Sequence, residues 1–322
     1  MLIVREAPLC AEIEISGQTG LITANRDFYH RNNFPYPESW PGLSVEGEVD
    51  RPLQLDLAAL GNRPQRSLTV TLECAGNGRR FLEPPVPGER WGVGAVGTAE
   101  WEGSPLAGVL EEAAIRPGLA EILFEAADGF ARSLPLERAM HPDTLLVTRM
   151  NGEPLPREHG GPLRLLVPGW YGMAAVKWLA RIVALREPFR GHFQVERYVV
   201  GERPVREMAV RALIISPADG AAIRAGEPLQ VEGLAWSGAG QVSGVEVSAD
   251  GGQTWQEAAL GEGAGEYAWR RWSALLAAPE PGPVALLARA RDGAGRRQPL
   301  EQNWNQLGYE NNAAVPVSVL AG

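Results

Sequence analysis

The chain has 322 residues, 30 Lys and Arg against 39 Asp and Glu, and a formal net charge of −9. That length predicts about two domains, and the acidic balance excludes a general nucleic-acid binder, which needs a basic face. Two cysteines exclude a disulfide scaffold, and no apolar run reaches the roughly 18–20 residues of a membrane-spanning helix. The opening Met1-Leu-Ile-Val-Arg-Glu-Ala-Pro-Leu9 has a short apolar run with no basic segment before it. That is not a secretory pattern. It points to a cytoplasmic protein, or to a periplasmic one from which a leader was removed.

The 38 Gly and 26 Pro are spread along the chain, which suits many short strands joined by turns. Strand-like runs fall at 67–72, 145–148, 163–167 and 177–185. Ser104 as cap, Pro105 in the first helical position, and Leu106, Val109, Leu110 and Ala113 on one face predict a helix to about 115. A second short helix is expected at 136–140. The first two-thirds therefore reads as α+β, mixed strand and loop. Beyond about residue 203 the texture changes to strands at 212–215, 228–234, 244–248, 267–272, 284–290 and 314–319. Pro217-Ala-Asp-Gly220, Asp250-Gly-Gly252 and Asp292-Gly-Ala-Gly295 supply turns between them. This pattern predicts an immunoglobulin-like β-sandwich without a disulfide. With no cluster of His, Cys or paired acids, that segment alone reads as an interaction or assembly module.

Gly92-Val-Gly94-Ala-Val-Gly97 spells a dinucleotide fingerprint, but Glu83-Pro-Pro-Val-Pro87 precedes it instead of a buried strand. A Gly-rich loop is the better reading. Four scattered histidines and no Cys-x-x-Cys argue against a zinc site. Cys74 is more informative. It follows a strand and opens Cys74-Ala-Gly-Asn-Gly-Arg-Arg80. Small turn residues expose amides, and two nearby arginines favour thiolate over thiol, the form that binds a soft metal centre. The residues alone leave a reactive cysteine, a metal-binding cysteine and a small buried hydrophobe open. Cys10, in Ala7-Pro-Leu-Cys-Ala11, keeps the last of these readings. Arg31, Asn32 and Asn33 lie between aromatics and prolines and suit an anion clamp. Arg164 within an apolar strand and Lys177 beside Trp178 need an anionic partner if buried. One anionic ligand is a common destination for these segments.

Taken together, these motifs resemble the sulfite oxidase family of molybdenum enzymes, which includes plant-type assimilatory nitrate reductases. The resemblance runs over nearly the whole chain. It rests on Arg31-Asn32-Asn33, Cys74 to Arg80, Met150-Asn-Gly-Glu-Pro-Leu-Pro-Arg-Glu-His159-Gly, Arg164-Leu-Leu-Val-Pro-Gly169, Val176-Lys177-Trp178-Leu179 and Trp304-Asn305. It implies a molybdopterin-binding catalytic domain over 1–204 and an immunoglobulin-like dimerisation domain over 205–322. It implies molybdopterin as cofactor, with Cys74 as thiolate ligand to molybdenum. Tyr29, His30, Arg31, Asn32, Asn33, Asp128, His159, Arg164, Ala175, Val176 and Lys177 would hold the pterin and its phosphate. Arg31 and Arg79 match the family's substrate-anion arginines, and Tyr198 its active-site tyrosine.

The implied reaction is oxidation of sulfite to sulfate by oxo transfer in a homodimer. Without a Cys-x-x-Cys-His haem motif, electrons would pass to a separate acceptor such as a cytochrome c. Gly78 stands where animal sulfite oxidases have Arg, Asn33 where they have His, and Leu307 where a third anion-pocket Arg is expected. Nitrate reductases also have an apolar residue at the last position, so nitrate, sulfoxide or N-oxide reduction is the alternative. A non-enzymatic interaction protein is the remote one, and it leaves Cys74, Arg164 and Lys177 unexplained.

Overall fold

The computed structural model describes residues 1–18 and 20–322. Its main elements in chain order are β1 (Leu43–Gly47), β2 (Arg66–Glu73), β3 (Val96–Pro105), α1 (Leu106–Glu112), β4 (Glu121–Ala126), β5 (Ala131–Pro135), β6 (Leu145–Met150), β7 (Arg164–Leu166) and β8 (Leu179–Leu185). There follow β9 (Arg211–Ser216), β10 (Leu229–Trp236), β11 (Val242–Ser248), β12 (Ala259–Gly263), β13 (Arg270–Leu276), β14 (Gly282–Asp292) and β15 (Val317–Ala321). The protein is mostly β with few, short helices. Among the described residues no helix is long and apolar enough to cross a membrane.

The first part holds two five-stranded sheets. In one, β2 pairs antiparallel with β3 from Arg66↔Gly103 to Glu73↔Val96, β3 pairs with β6, and β6 with β7. In the other, β1 runs parallel to β8, which pairs antiparallel with β4, and β4 forms a hairpin with β5. The predicted helix is shorter at its start than its sequence suggests. Ser104 and Pro105 remain in β3, so Pro105 is the residue before the helix and not its first turn, and Ser104 Oγ makes no hydrogen bond. Pairing of Ser104 with Leu146 in the sheet overrides its capping preference. Leu106, Val109, Leu110 and Ala113 are buried as their spacing predicts.

The Gly92–Gly97 run is a loop entering β3, with no helix after it. A Cβ on Gly94 would stand 1.8 Å from the Ile13 carbonyl oxygen, and one on Gly97 2.7 Å from the Phe28 ring. These glycines allow close packing and do not cradle a phosphate.

The second part is two sheets, β9–β10–β13–β12 and a five-stranded one built on β15–β14–β11. Val231, Val245, Trp272, Leu286 and Val319 from both share one core. Strand periodicity divides β9 between two environments. Ala212 and Ile214 face the core between these sheets, whereas Leu213 and Ile215 join the first part's core, as do Leu234 and Trp236 of β10. The β9–β10 sheet therefore packs on both its faces.

Candidate active site

Loops of the first part converge on a cavity whose wall carries most of the residues that the sequence singles out. Tyr29, Arg31, Asn32 and Asn33 come from the segment before β1. Cys74 comes from the end of β2, Asp128 from the β4–β5 turn, and His159 and Arg164 from the entry to β7. Ala175, Val176 and Lys177 come from the β7–β8 connection, and Tyr198 follows β8. Twelve of the fourteen residues singled out in the sequence line it. His30 and Arg79 do not. The wall also includes Glu158 and the apolar Phe28, Phe130, Met173 and Trp178, which apolar patterning alone assigns to the core.

Cys74 is 5% exposed and anchored by its N–H to the Ala95 carbonyl at 2.9 Å. Burial pushes its thiol up from the ordinary value, against Arg31, the Gly76 N–H and Arg79. The sequence suggests a thiolate favoured by Arg79 and Arg80. Instead Arg80 is exposed and takes no part, Arg31 is the main opposing cation, and desolvation outweighs it.

Arg31 is shared among acceptors. It donates to the Asn32 carbonyl and to Asn33 Oδ1 at 2.7 Å, and pairs with Glu89 at 3.5 Å. Glu89 also pairs with Arg5 at 2.5 Å. Asn33 Nδ2 donates to the Tyr198 hydroxyl at 3.4 Å. Tyr198 is buried at φ +55°, stacked on Tyr309 with ring centroids 5.1 Å apart. Arg79 lies behind this layer. Its guanidinium donates to the carbonyls of Leu307 (3.2 and 3.1 Å) and Glu89 (2.9 Å) and sits over Tyr309. Leu307 thus meets Arg79 through its backbone, while its side chain packs on the core.

The opposite wall is cationic. Arg164 donates to the carbonyls of Ala175 at 3.1 Å and His159 at 3.0 Å and lies over Trp101. Lys177 donates to Asn32 Oδ1 and the Glu158 carbonyl and lies 4.2 Å over Trp178. Neither has a carboxylate within ion-pair distance among the described residues, though Asp128 on the same wall acts on Lys177 at longer range. Burial lowers Arg164 to about 10, with Tyr29 opposing. Burial, then Arg164, lowers Lys177 well below its ordinary value. His159 Nε2 donates to the Asn25 carbonyl, 2.7 Å away, and burial depresses the imidazole to about 3. His30 stacks 5.1 Å from His159, its Nδ1 buried without a partner. Asp128 caps the β4–β5 turn through the Phe130 N–H at 3.0 Å.

Unpaired buried cations are costly unless an anion joins them. A thiol, a cationic wall and aromatic surfaces on one cavity fit an anionic, phosphate-bearing planar group that carries a sulfur-seeking metal. Among the described residues no three His, Cys, Asp or Glu side chains cluster to hold a metal themselves, so a metal here would need ligands that the wall does not supply.

Comparison with known proteins agrees with that fit. The model of the oxidoreductase molybdopterin binding domain matches residues 32–193, and that of the Mo-co oxidoreductase dimerisation domain matches 202–321. The chain belongs to the sulfite oxidase family of molybdopterin oxidoreductases. It is 37% identical to mitochondrial sulfite oxidase of Mus musculus over 91% of its own length and 60% of that protein's. It thus spans about 60% of the length of the mammalian relatives it matches. It is 31% identical to an NADH nitrate reductase of Cichorium intybus over 92% of its length and 38% of the relative's. The sulfane dehydrogenase SoxCD of Paracoccus pantotrophus superposes with a TM-score of 0.86 at 30% identity, over 96% of this chain and 84% of that one.

Proposed function

We propose that this chain oxidises sulfite to sulfate at a molybdopterin-held molybdenum bound by the Cys74 thiolate. Tyr29 to Asn33, Asp128, His159, Arg164 and Ala175 to Lys177 hold the cofactor in this reading. It rests above all on one observation: the Cys74 thiol faces the same cavity as buried Arg164 and half-buried Lys177, two cations with no carboxylate at ion-pair distance among the described residues. The bound group supplies the two-electron redox chemistry and oxygen-atom transfer. Sulfite and water give sulfate, two protons and two electrons, and the electrons leave to a separate acceptor such as a cytochrome c.

The side chains bind and orient. Arg164 and Lys177 neutralise phosphate and pterin charge, and binding removes the proton that burial keeps on Cys74. Arg31, held by Glu89 and Asn33, presents charge-assisted donors to a small oxyanion. Tyr198 accepts from Asn33, which leaves its own proton to donate toward the substrate. Arg79 acts through Tyr309, against which Tyr198 is stacked.

The domain reading is residues 1–204 for cofactor and chemistry, and 205–322 as an immunoglobulin-like sandwich that forms a homodimer. The two sheets sharing one core support the sandwich. Leu307 favours a second reading, nitrate, sulfoxide or N-oxide reduction, because its side chain brings no charge to the anion pocket. Assays of sulfite with ferricyanide against nitrate, sulfoxide or N-oxide with reduced viologen separate them. Turnover with sulfite and none with the other acceptors is expected. The opposite pattern overturns the substrate assignment and leaves the cofactor assignment standing.

A further inference from the structure

The turn that carries Cys74 is held largely by the second part of the chain. Strand β2 has only β3 beside it in its sheet, and its outer edge is covered by residues 267–269. The Thr71 N–H donates to the Tyr267 carbonyl at 3.0 Å, and the Trp269 N–H to Thr71 Oγ1 at 2.8 Å. Glu73, the residue before Cys74, is completely buried. Its Oε1 lies 3.2 Å from Arg211 Nε and accepts from Asn77 Nδ2 at 3.0 Å. Its Oε2 accepts from Trp236 Nε1 at 2.9 Å. Asn77 and Trp236 donate to the carboxylate, and Arg211 pairs with it by charge, its Nε making no hydrogen bond, so an anionic acceptor fits here.

Arg211 faces Glu73 because it shares a face of β9 with Leu213 and Ile215. It donates also to the Asn311 carbonyl and, at 3.4 Å, to that of Asn77. Asn311 Nδ2 donates to the Gly78 carbonyl at 2.9 Å, and the Glu310 N–H to that of Ala75 at 3.0 Å. Glu310 makes this contact at φ +57°, a strained backbone for a side-chain-bearing residue. Residues 73–79 are thus gripped from β9, β10 and the 307–311 loop.

We propose that Glu73 and Arg211 are a positioning pair through which the second part of the chain sets the Cys74 turn, so that the site is complete only when both parts are docked. Neither residue lines the cavity. The inference rests on the reading of Cys74 as the group that must be placed.

The test uses the full chain with Arg211→Met, Arg211→Lys and Asn311→Ala. The last leaves the ion pair intact and frees only the Gly78 carbonyl. In cofactor-free protein the rate of Cys74 alkylation, followed by peptide mapping, is expected to rise about tenfold in Arg211→Met and Asn311→Ala. In loaded protein kcat is expected to fall about tenfold to a hundredfold with KM for sulfite nearly unchanged. Arg211→Lys should recover part of both. Folded variants that alkylate and turn over like the parent overturn the proposal. If Arg211→Met does not fold, Glu73→Gln, which removes the charge and keeps the shape, decides by the same criterion. If the parent binds no molybdenum, the proposed function fails, and the alkylation contrast alone still judges this inference.

Discussion

Lys177 shows most clearly what a single residue reveals about the ligand chemistry of the cavity. Its half-buried ammonium lies beside Arg164, hydrogen-bonded only to neutral acceptors, with the Asp128 carboxylate acting on it at longer range. In the cofactor-free chain this charge destabilises the fold. Lys177→Met is therefore expected to stabilise the cofactor-free protein by about 1–2 kcal/mol, read as a higher Tm, while abolishing retention of molybdopterin. A lower Tm contradicts the view that the lysine awaits an anion. Cys74→Ser is expected to abolish turnover with Tm within a few degrees of the parent; retained turnover removes the ligand role. At this scale the sequence carried much of the site. Arg164 in an apolar strand and Lys177 beside an aromatic are conspicuous without coordinates. Glu73, Glu89 and Arg211 were illegible, because their meaning lies in partners far away along the chain, as with Glu73 and Arg211. Arg80 misled, since adjacency to Arg79 says nothing about which side chain turns inward.

Among the elements, the segment 157–164 joins a buried histidine to the start of β7. His159 stays neutral in the fold, depressed to about 3 from an ordinary 6.5, first by burial. Above pH 6.5 folded and unfolded chains are both neutral there. As pH falls from 6.5 toward 3, the unfolded chain binds a proton that the fold refuses, so stability is lost across that window. The loss from this one group is on the order of 3–5 kcal/mol. Urea unfolding of cofactor-free protein should show it, and His159→Gln should flatten that part of the profile; an unchanged slope contradicts the assignment. Strand positions were readable because alternation and turn residues are local signals. The start of α1 was not, because pairing of Ser104 with β6 is a tertiary choice that outweighs a local cap. Alternation in β9 was readable as a strand but not as one serving two cores, which depends on the first part packing against it.

At the scale of the whole molecule, a net charge of −9 surrounds a cavity lined by Arg31, Arg164 and Lys177. A negative surface disfavours polyanions, while a cationic interior suits the small anion and phosphorylated group of the proposed function. That contrast explains why overall charge alone pointed away from the site. The central claim is that this cavity holds molybdopterin with Cys74 on the metal and turns over sulfite. The most direct measurement is molybdenum and pterin analysis of protein from a molybdenum-competent host, followed by sulfite titration of its electronic and paramagnetic spectra. The account predicts equimolar molybdenum and pterin per chain and a metal signal that sulfite reduces. Folded protein that contains neither molybdenum nor pterin would contradict it.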